Sequence, residues 1–130
     1  MLKILPIQSK LTQEEICVKC GVTYNPDLLA YSAQVDDRLA GVCQFKLTDK
    51  GGIIYDLAPT TDFYDRDALF VMGRGALNFI DLCGVHSATY RGKVTDESLL
   101  TQIGFKKNDE RGKASLKFEC FYLYCNWFFS

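Results

Sequence analysis

The cysteines and the histidine of this chain are the residue types most often used as nucleophiles or metal ligands. There are six cysteines, and Cys17 and Cys20 form a C-x-x-C pair, which could be half of a zinc site or a redox pair. The sequence has no second C-x-x-C pair, and His86 is its only histidine. We therefore predict buried or incidental thiols and no metal site, and a structural role for a lone histidine on a strand.

Composition and motifs argue against several classes of protein. The 130-residue chain is 48% hydrophobic and 24% charged, which is typical of a globular domain. Its formal net charge of -1 gives no basic surplus for nucleic acid or an anionic membrane. No apolar run approaches the ~20 residues of a membrane span, and the N-terminus does not resemble a signal peptide. We expect one domain over residues 1–130, a cytoplasmic location and reduced cysteines. The motifs G-x-S-x-G, H-E-x-x-H and the P-loop are absent from the sequence.

Hydrophobic periodicity and turn signals predict the element order β-α-β-β-β-α-β-α-β. The predicted strands are Leu2–Ile7, Leu28–Val35, Leu39–Leu47, Ile53–Leu57, Val85–Arg91 and Lys113–Cys125. The predicted helices run from a capping box at Thr12–Glu15 to Cys20, from the cap Asp65 to Cys83, and from the cap Asp96 to Ile103.

A long amphipathic helix is predicted between Asp65 and Gly84. Asp65 is a plausible N-cap, and Gly84 lies where a C′ glycine belongs. Between them apolar residues recur every three or four positions over about five turns. Because this helix connects Ile53–Leu57 to Val85–Arg91, those two strands are expected to be parallel.

The segment Asp96–Lys107 is a short capped helix that stops at a Gly-Phe pair and turns into a basic strand. This pattern resembles the last helix of the GNAT (N-acetyltransferase-like) superfamily. Asp36–Val42 is similar to that family's turn and glycine-containing third strand, and Ile53–Ala58 looks like its fourth strand. The resemblance covers nearly the whole chain and implies an α/β (α+β) fold, with a mixed, mostly antiparallel sheet flanked by helices.

The resemblance also implies that acetyl-CoA lies where the fourth and fifth strands part. Its thioester is then near Leu57 and Ala58, and its phosphates meet backbone amides at the start of the long helix. The implied cofactor-binding residues are Leu57, Ala58, Arg66, Asp67, Ala68, Leu69 and Phe70. In this register Leu69 replaces a small residue of the family's phosphate loop, and Asp67 adds negative charge. Met72–Ala76 resembles a glycine loop more closely but would split the apolar stripe, so we favour the first register and keep the second open.

An amine that attacks the thioester needs a base for its ammonium form and an acid for the leaving thiolate. The family often carries a tyrosine as this acid, and its position here is Leu100. The resemblance leaves Asp56 as the candidate base and Tyr90 as the candidate acid. It implies an N-acetyltransferase that moves an acetyl group to an amine of a small molecule or peptide. The altered phosphate loop and Leu100 favour the alternative, a non-catalytic GNAT-fold binding or dimerisation module.

The C-terminal segment Tyr122–Phe129 is too apolar to remain in water. Its aromatic side chains bury ~150–250 Å² each when they pack. We expect this segment to form a symmetric homodimer, and the alternative is packing over the first helix of its own domain.

Overall fold

In a computed structural model of the chain, residues 1–108 and 117–121 are described. The elements are β1 (Leu2–Pro6), α1 (Lys10–Cys20), β2 (Leu29–Val35), β3 (Arg38–Thr48), β4 (Gly51–Pro59), α2 (Arg66–Leu82), β5 (Ser87–Tyr90), α3 (Glu97–Ile103), β6 (Lys106–Asn108) and β7 (Lys117–Phe121).

Across the described residues the strands form one seven-stranded sheet in the order β1-β2-β3-β4-β5-β7-β6. Neighbouring strands pair antiparallel, apart from the parallel pair β4 and β5, which α2 connects. The predicted fold class is confirmed, and so is the parallel pair. β6 is an additional strand, and only Lys117–Phe121 of the strand predicted at Lys113–Cys125 is described as β7.

The helices cover both faces of the sheet. Along β3 the side chains alternate, so that Cys43 and Phe45 pack in the cluster built on α2, and Val42 packs against Cys17 of α1. The apolar stripe of α2 is buried, and its Met72 is fully enclosed. Burial of a large apolar side chain contributes ~1.5–3 kcal/mol, so this α2 stripe stabilises the packing of the helix on the sheet.

Two of the three predicted helix starts are confirmed, and one is wrong. Asp65 and Asp96 cap α2 and α3 as predicted. The helix α1 begins earlier than the predicted capping box, because the Ser9 Oγ accepts a hydrogen bond from the Thr12 backbone N–H at 3.3 Å. Ser9 therefore caps the helix, and Thr12 lies inside its first turn. The end of α1 is as predicted, since Gly21 has a φ of 67°.

Several expectations are not tested by the described residues. Tyr122–Phe129 lies outside them, so the homodimer and its intrachain alternative stay predictions. Within residues 1–108 and 117–121, no helix is both long enough and apolar enough to span a bilayer. The cytoplasmic location and the single domain over residues 1–130 also stay predictions.

Candidate active site

The parallel strands β4 and β5 separate part-way along their length. Their pairing ends at Ile54 and Tyr90, where β5 also ends, whereas β4 continues to Pro59. One further hydrogen bond follows, from the Arg91 backbone N–H to the Ile54 carbonyl oxygen at 2.8 Å. Beyond it a gap opens on the β5 side of β4, which is the location implied by the family resemblance.

A β-bulge in β4 lies at the start of this gap. Gln44 of β3 is opposite Asp56, and Phe45 is opposite Ile54, so Tyr55 is an extra residue in β4. Ile54 packs in the α2 cluster, whereas Asp56 contacts Gln44 on the α1 side of the sheet. The bulge therefore turns the Asp56 carboxylate away from the apolar core and towards the gap.

The backbone of Leu57 faces the gap. A Cβ atom placed on Gly41 of β3 would lie 2.6 Å from the Ala58 carbonyl oxygen, so this carbonyl points towards β3. Backbone polar groups of successive strand residues point to opposite sides. The N–H of Leu57 is therefore directed away from β3, where it can donate to a carbonyl oxygen in the gap.

A cleft of about 270 Å³ opens at the gap. Its walls come from the end of α1, from β4 after the bulge and from the loop that follows β5. The lining includes Cys20, Asp56, Leu57, Ala58, Tyr90 and Lys93. A narrower recess shares Leu57, Tyr90 and Lys93 and extends to Leu100 of α3. The two predicted catalytic residues, Asp56 and Tyr90, are thus brought to one cleft.

Asp56 is a half-buried carboxylate with one strong partner. The Gln44 Nε2 donates to its Oδ2 at 2.6 Å. Burial raises the pKa of Asp56 above its ordinary value, and the hydrogen bond from Gln44 offsets part of this increase. A raised pKa makes the carboxylate a stronger base, as general-base catalysis near neutral pH requires.

Tyr90 is almost fully buried and keeps its proton. Its hydroxyl donates to the Lys93 carbonyl oxygen at 2.7 Å, and its ring packs on Phe105 with centroids 5.9 Å apart. Burial raises the pKa of Tyr90 well above its usual range, and the neighbouring Cys43 and Asp56 add to this increase. Tyr90 is therefore a hydrogen-bond and proton donor, and not a phenolate.

The loop after β5 approaches the cleft closely because Gly92 has no side chain. A Cβ atom there would lie 2.6 Å from the Tyr55 carbonyl oxygen and 2.7 Å from the Tyr90 hydroxyl. Gly92 thus lets the loop pack over Tyr90 at the point where the strands part.

At the start of α2, the backbone amides of Ala68 and Leu69 have partners within the chain. The Asp65 Oδ1 accepts from the Ala68 N–H at 3.1 Å. Asp67 is exposed in this turn, whereas Leu69 is buried and Phe70 is half-buried. A phosphate group that bound the Ala68 N–H would have to replace the Asp65 carboxylate, and phosphate binding by Arg66–Phe70 stays a prediction.

The guanidinium of Arg66 joins α2 to α3. It donates to the Asp96 Oδ2 at 3.2 Å, to the Gln102 Oε1 at 2.8 Å and to the Ser98 Oγ at 3.0 Å. These three contacts use all three nitrogen atoms of the guanidinium, Nε, Nη1 and Nη2. Arg66 therefore has a structural role that the sequence did not reveal, because its partners lie 30 to 36 positions away.

The second register for a phosphate loop, Met72–Ala76, is wrong. These residues lie in the middle of the continuous helix α2. A Cβ atom on Gly73 would lie 2.7 Å from the Ile103 Cδ1, so this glycine allows α3 to pack closely on α2. The close contact with α3, and not phosphate binding, therefore accounts for a glycine at this position.

Cys17, Cys20 and His86 are not arranged as a reactive group. Cys17 and Cys20 are buried, and burial raises their pKa values to about 11 and about 12. His86 pairs through Nδ1 with the Asp81 Oδ1 at 2.6 Å, beyond the end of α2 and apart from the cleft lining. In the described part of the chain, no group of three or more His, Cys, Asp or Glu side chains could hold a metal ion.

Sequence reasoning missed the residues that support Asp56. Gln13 and Gln44 are both fully buried, and Gln44 contacts Asp56 directly. One signal was present, because Gln44 interrupts the apolar stretch Val42–Phe45. A polar residue in a strand with apolar neighbours on both sides suggests a buried hydrogen bond.

No family model matches the chain, and no curated protein matches its sequence. Solved structures match along most of its length. The PaiA N-acetyltransferase from Thermoplasma acidophilum, in complex with coenzyme A, has a TM-score of 0.68 at 16% identity, over 94% of this chain and 99% of that one. A Bacillus subtilis acetyltransferase in complex with CoA has a TM-score of 0.70 at 14% identity, over 95% of this chain and 100% of that one.

The ribosomal-protein-S18-alanine N-acetyltransferase from Escherichia coli has a TM-score of 0.66 at 8% identity, over 92% of this chain and 91% of that one. The chain has the GNAT fold. At these identities the likeness is one of fold, so the chemistry of this GNAT-fold chain has to be argued from its own residues.

Proposed function

We propose that this chain transfers an acetyl group from acetyl-CoA to an amine of a small molecule or peptide. The observation that carries the proposal is the parting of β4 and β5 after Ile54, with the Leu57 N–H directed into the gap and Asp56 on its rim. Structures of the same fold in complex with CoA support acetyl-CoA as the donor. The S18-alanine N-acetyltransferase among them supports an amine as the acceptor.

In the proposed reaction, acetyl-CoA supplies the thioester whose carbonyl carbon the amine attacks. Asp56 takes a proton from the ammonium form of the amine, which frees the nitrogen lone pair for attack. The Leu57 N–H donates to the carbonyl oxygen as negative charge develops on it. As the new C–N bond forms and the C–S bond breaks, the Tyr90 hydroxyl would give its proton to the departing sulfur, and the second proton lost by the nitrogen would return to the Tyr90 oxygen.

The residues of this chain fit the thioester end of acetyl-CoA better than its phosphate end. Leu57 and Ala58 lie in the cleft, where a backbone N–H and a nearby carboxylate suit a thioester and an amine. At the start of α2, the Asp65 carboxylate accepts from the Ala68 amide, and Arg66 is engaged with α3. The proposal therefore depends on the cleft, and the phosphate contacts at Arg66–Phe70 remain its less supported part.

The poorer fit at the phosphate end favours the second candidate function, a non-catalytic GNAT-fold binding or dimerisation module. The observation behind it is the Asp65 carboxylate on the Ala68 amide, where the first sequence register needs a phosphate. Leu100 adds to it, because this buried residue occupies the position where the family often has a tyrosine. A module of this kind would keep the fold without acetyl transfer.

Binding and turnover separate the two candidates. Calorimetry with acetyl-CoA and with CoA measures whether a donor binds, and mass spectrometry of a panel of small amines and peptides measures acetylated product. Mass detection is preferable to thiol reagents, since the six cysteines of the chain could react with them. We expect both binding and an acetylated amine. Absence of heat at millimolar acetyl-CoA, or binding without any product across the panel, would support the non-catalytic module.

A further inference from the structure

A chain of hydrogen bonds runs through the interior and ends on Asp56. The Lys10 Nζ donates to the Gln13 Oε1 at 3.1 Å, and the Gln13 Nε2 donates to the Gln44 Oε1 at 2.9 Å. The Gln44 Nε2 then donates to the Asp56 Oδ2 at 2.6 Å. Both glutamines have no exposed surface, whereas Lys10 is at the protein surface. Three elements, α1, β3 and β4, thus contribute to one polar path.

The direction of this path is set at its outer end. An ammonium group can only donate, so Lys10 holds the Gln13 Oε1 and turns the Nε2 towards Gln44. The Gln44 Oε1 is then the acceptor, and its Nε2 faces Asp56. A backbone contact supports the same orientation, because the Gln44 Nε2 also donates to the Thr23 carbonyl oxygen at 2.9 Å.

Two buried amides are costly unless they are hydrogen-bonded, and an apolar pair of similar shape would avoid that cost. Their presence directly behind Asp56 therefore suggests a purpose besides packing. We infer that Lys10, Gln13 and Gln44 form an amide relay that positions Asp56 as a base, with Oδ2 held by Gln44 and Oδ1 presented to the substrate ammonium. This inference rests on the proposed function, because it takes Asp56 as the base.

The amide relay also favours the charged form of Asp56. Hydrogen bonds in a chain polarise one another, and this chain has a cation at its far end. The other titratable groups around Asp56 are Cys17 of α1, Cys43 of β3, Tyr90 of β5 and Lys93 of the following loop. The two thiols and the phenol are buried and protonated near neutral pH, and the contact that lowers the pKa of Asp56 is the hydrogen bond from Gln44, not the Lys93 ammonium.

The test is the titration of the Asp56 carboxyl carbon by NMR in the full chain, without substrate. The variants are Gln44→Met, Gln13→Met and Lys10→Met, and the control is Lys3→Met, which removes an exposed lysine that has no contact with the relay. We expect each relay variant to raise the pKa of Asp56, most for Gln44→Met and least for Lys10→Met. The Lys3→Met variant should leave the pKa unchanged.

With acetyl-CoA and an accepted amine, the acid limb of kcat/KM against pH should move upward in the same order. Unchanged titration of Asp56 in all three relay variants, with only the melting temperature lowered, would overturn the inference and leave the glutamines a packing role. If Gln44→Met does not fold, Lys10→Met against Lys3→Met still decides, since both lysines are exposed. A shifted pKa without any acetyl transfer supports the relay and overturns the proposed function. Acetyl transfer with an unchanged Asp56 pKa would support the proposed function and overturn the relay.

Discussion

The cleft and the junction between α2 and α3 both contain aspartates beside hydrogen-bond donors, but the two regions use them differently. In the cleft, Asp56 has one strong contact, to Gln44, and burial raises its pKa. At the junction, the pKa of Asp96 is lowered, first by the hydroxyl of Ser98, then by a backbone amide and by Arg66. A carboxylate with several donors is satisfied within the fold, whereas a carboxylate with one donor keeps an oxygen for a ligand.

This difference indicates where chemistry should occur in the molecule. At the junction, Arg66 joins α2 to Asp96 at the start of α3, and Asp65 and Asp96 each cap their own helix. The cleft has an opening, a directed backbone N–H and a poised carboxylate. Mutations should therefore affect reaction rate in the cleft and stability at the junction.

The largest expected effect is on turnover in Asp56→Asn. The amide keeps an acceptor for Gln44 but cannot take a proton, so kcat/KM should fall by ~10²–10⁴-fold, which is the usual contribution of a general base. The measurement is acetylated product by mass spectrometry, with Asp49→Asn in the exposed turn between β3 and β4 as the control. An Asp56→Asn enzyme as active as the control would show that the comparison is wrong about the cleft.

Next in size is the effect of Gly92→Ala on stability. Its Cβ would press on the Tyr55 carbonyl and the Tyr90 hydroxyl, and overpacking of this kind costs ~1–3 kcal/mol. Gly75→Ala is the matched control, since its Cβ meets only the Ile4 Cγ2, at 3.8 Å. In a helix interior that change should stabilise by ~0.5–1 kcal/mol. Urea unfolding measures both, and equal midpoints for the two variants would contradict the tight approach of the loop.

The sequence predicts a feature of these regions well when the residues that form it lie close together in the chain. Asp65 and Asp96 were recognisable as caps because their partners lie three residues away. The Thr12 cap was wrong because Ser9 offers the same signal one turn earlier, and only the folded chain decides between them. The parallel pairing of β4 and β5 was predictable from the connection of strand, long helix and strand, whereas the gap between them was implied only by the family resemblance.

Side-chain partners that are far apart in the chain were not predictable in this way. Arg66 was predicted to bind phosphate because of its position at a helix start, but its observed contacts are on α3. The contact between Gln13 and Gln44 joins a helix to a strand across 31 positions. The bulge at Tyr55 depends on the register between β3 and β4, which no local pattern specifies.

A smaller effect is expected from Arg66→Ala. If Arg66 serves the α2–α3 junction, the variant should melt a few degrees lower, because partly exposed ion pairs contribute little. Its affinity for acetyl-CoA should match that of the wild type in calorimetry. Lys107→Ala is a useful control, since it removes another exposed ion pair, with Glu97 of α3. A large loss of acetyl-CoA affinity in Arg66→Ala alone would favour the phosphate contact predicted from the sequence.

The smallest expected effect is on the pH dependence of stability, and it has opposite signs at the two sites. Asp96 has a lowered pKa in the folded chain, so its contribution is present above the unfolded value of about 3.9 and is lost as the pH falls through the folded pKa. Asp56 has a raised pKa, so its contribution is present below that unfolded value and is lost as the pH rises through the folded pKa.

Melting temperatures from pH 3 to pH 8 should therefore diverge for two variants. Relative to wild type, Asp56→Asn should gain stability as the pH rises through the titration of the cleft carboxyl, because the variant has no charge to bury. Asp96→Asn should instead lose stability relative to wild type at lower pH, as the pH rises towards the unfolded value of about 3.9, because the asparagine still caps α3 but no longer carries the charge that faces Arg66. Parallel curves for the two variants would mean that the two carboxylates have similar environments, and the contrast between cleft and junction would then fail.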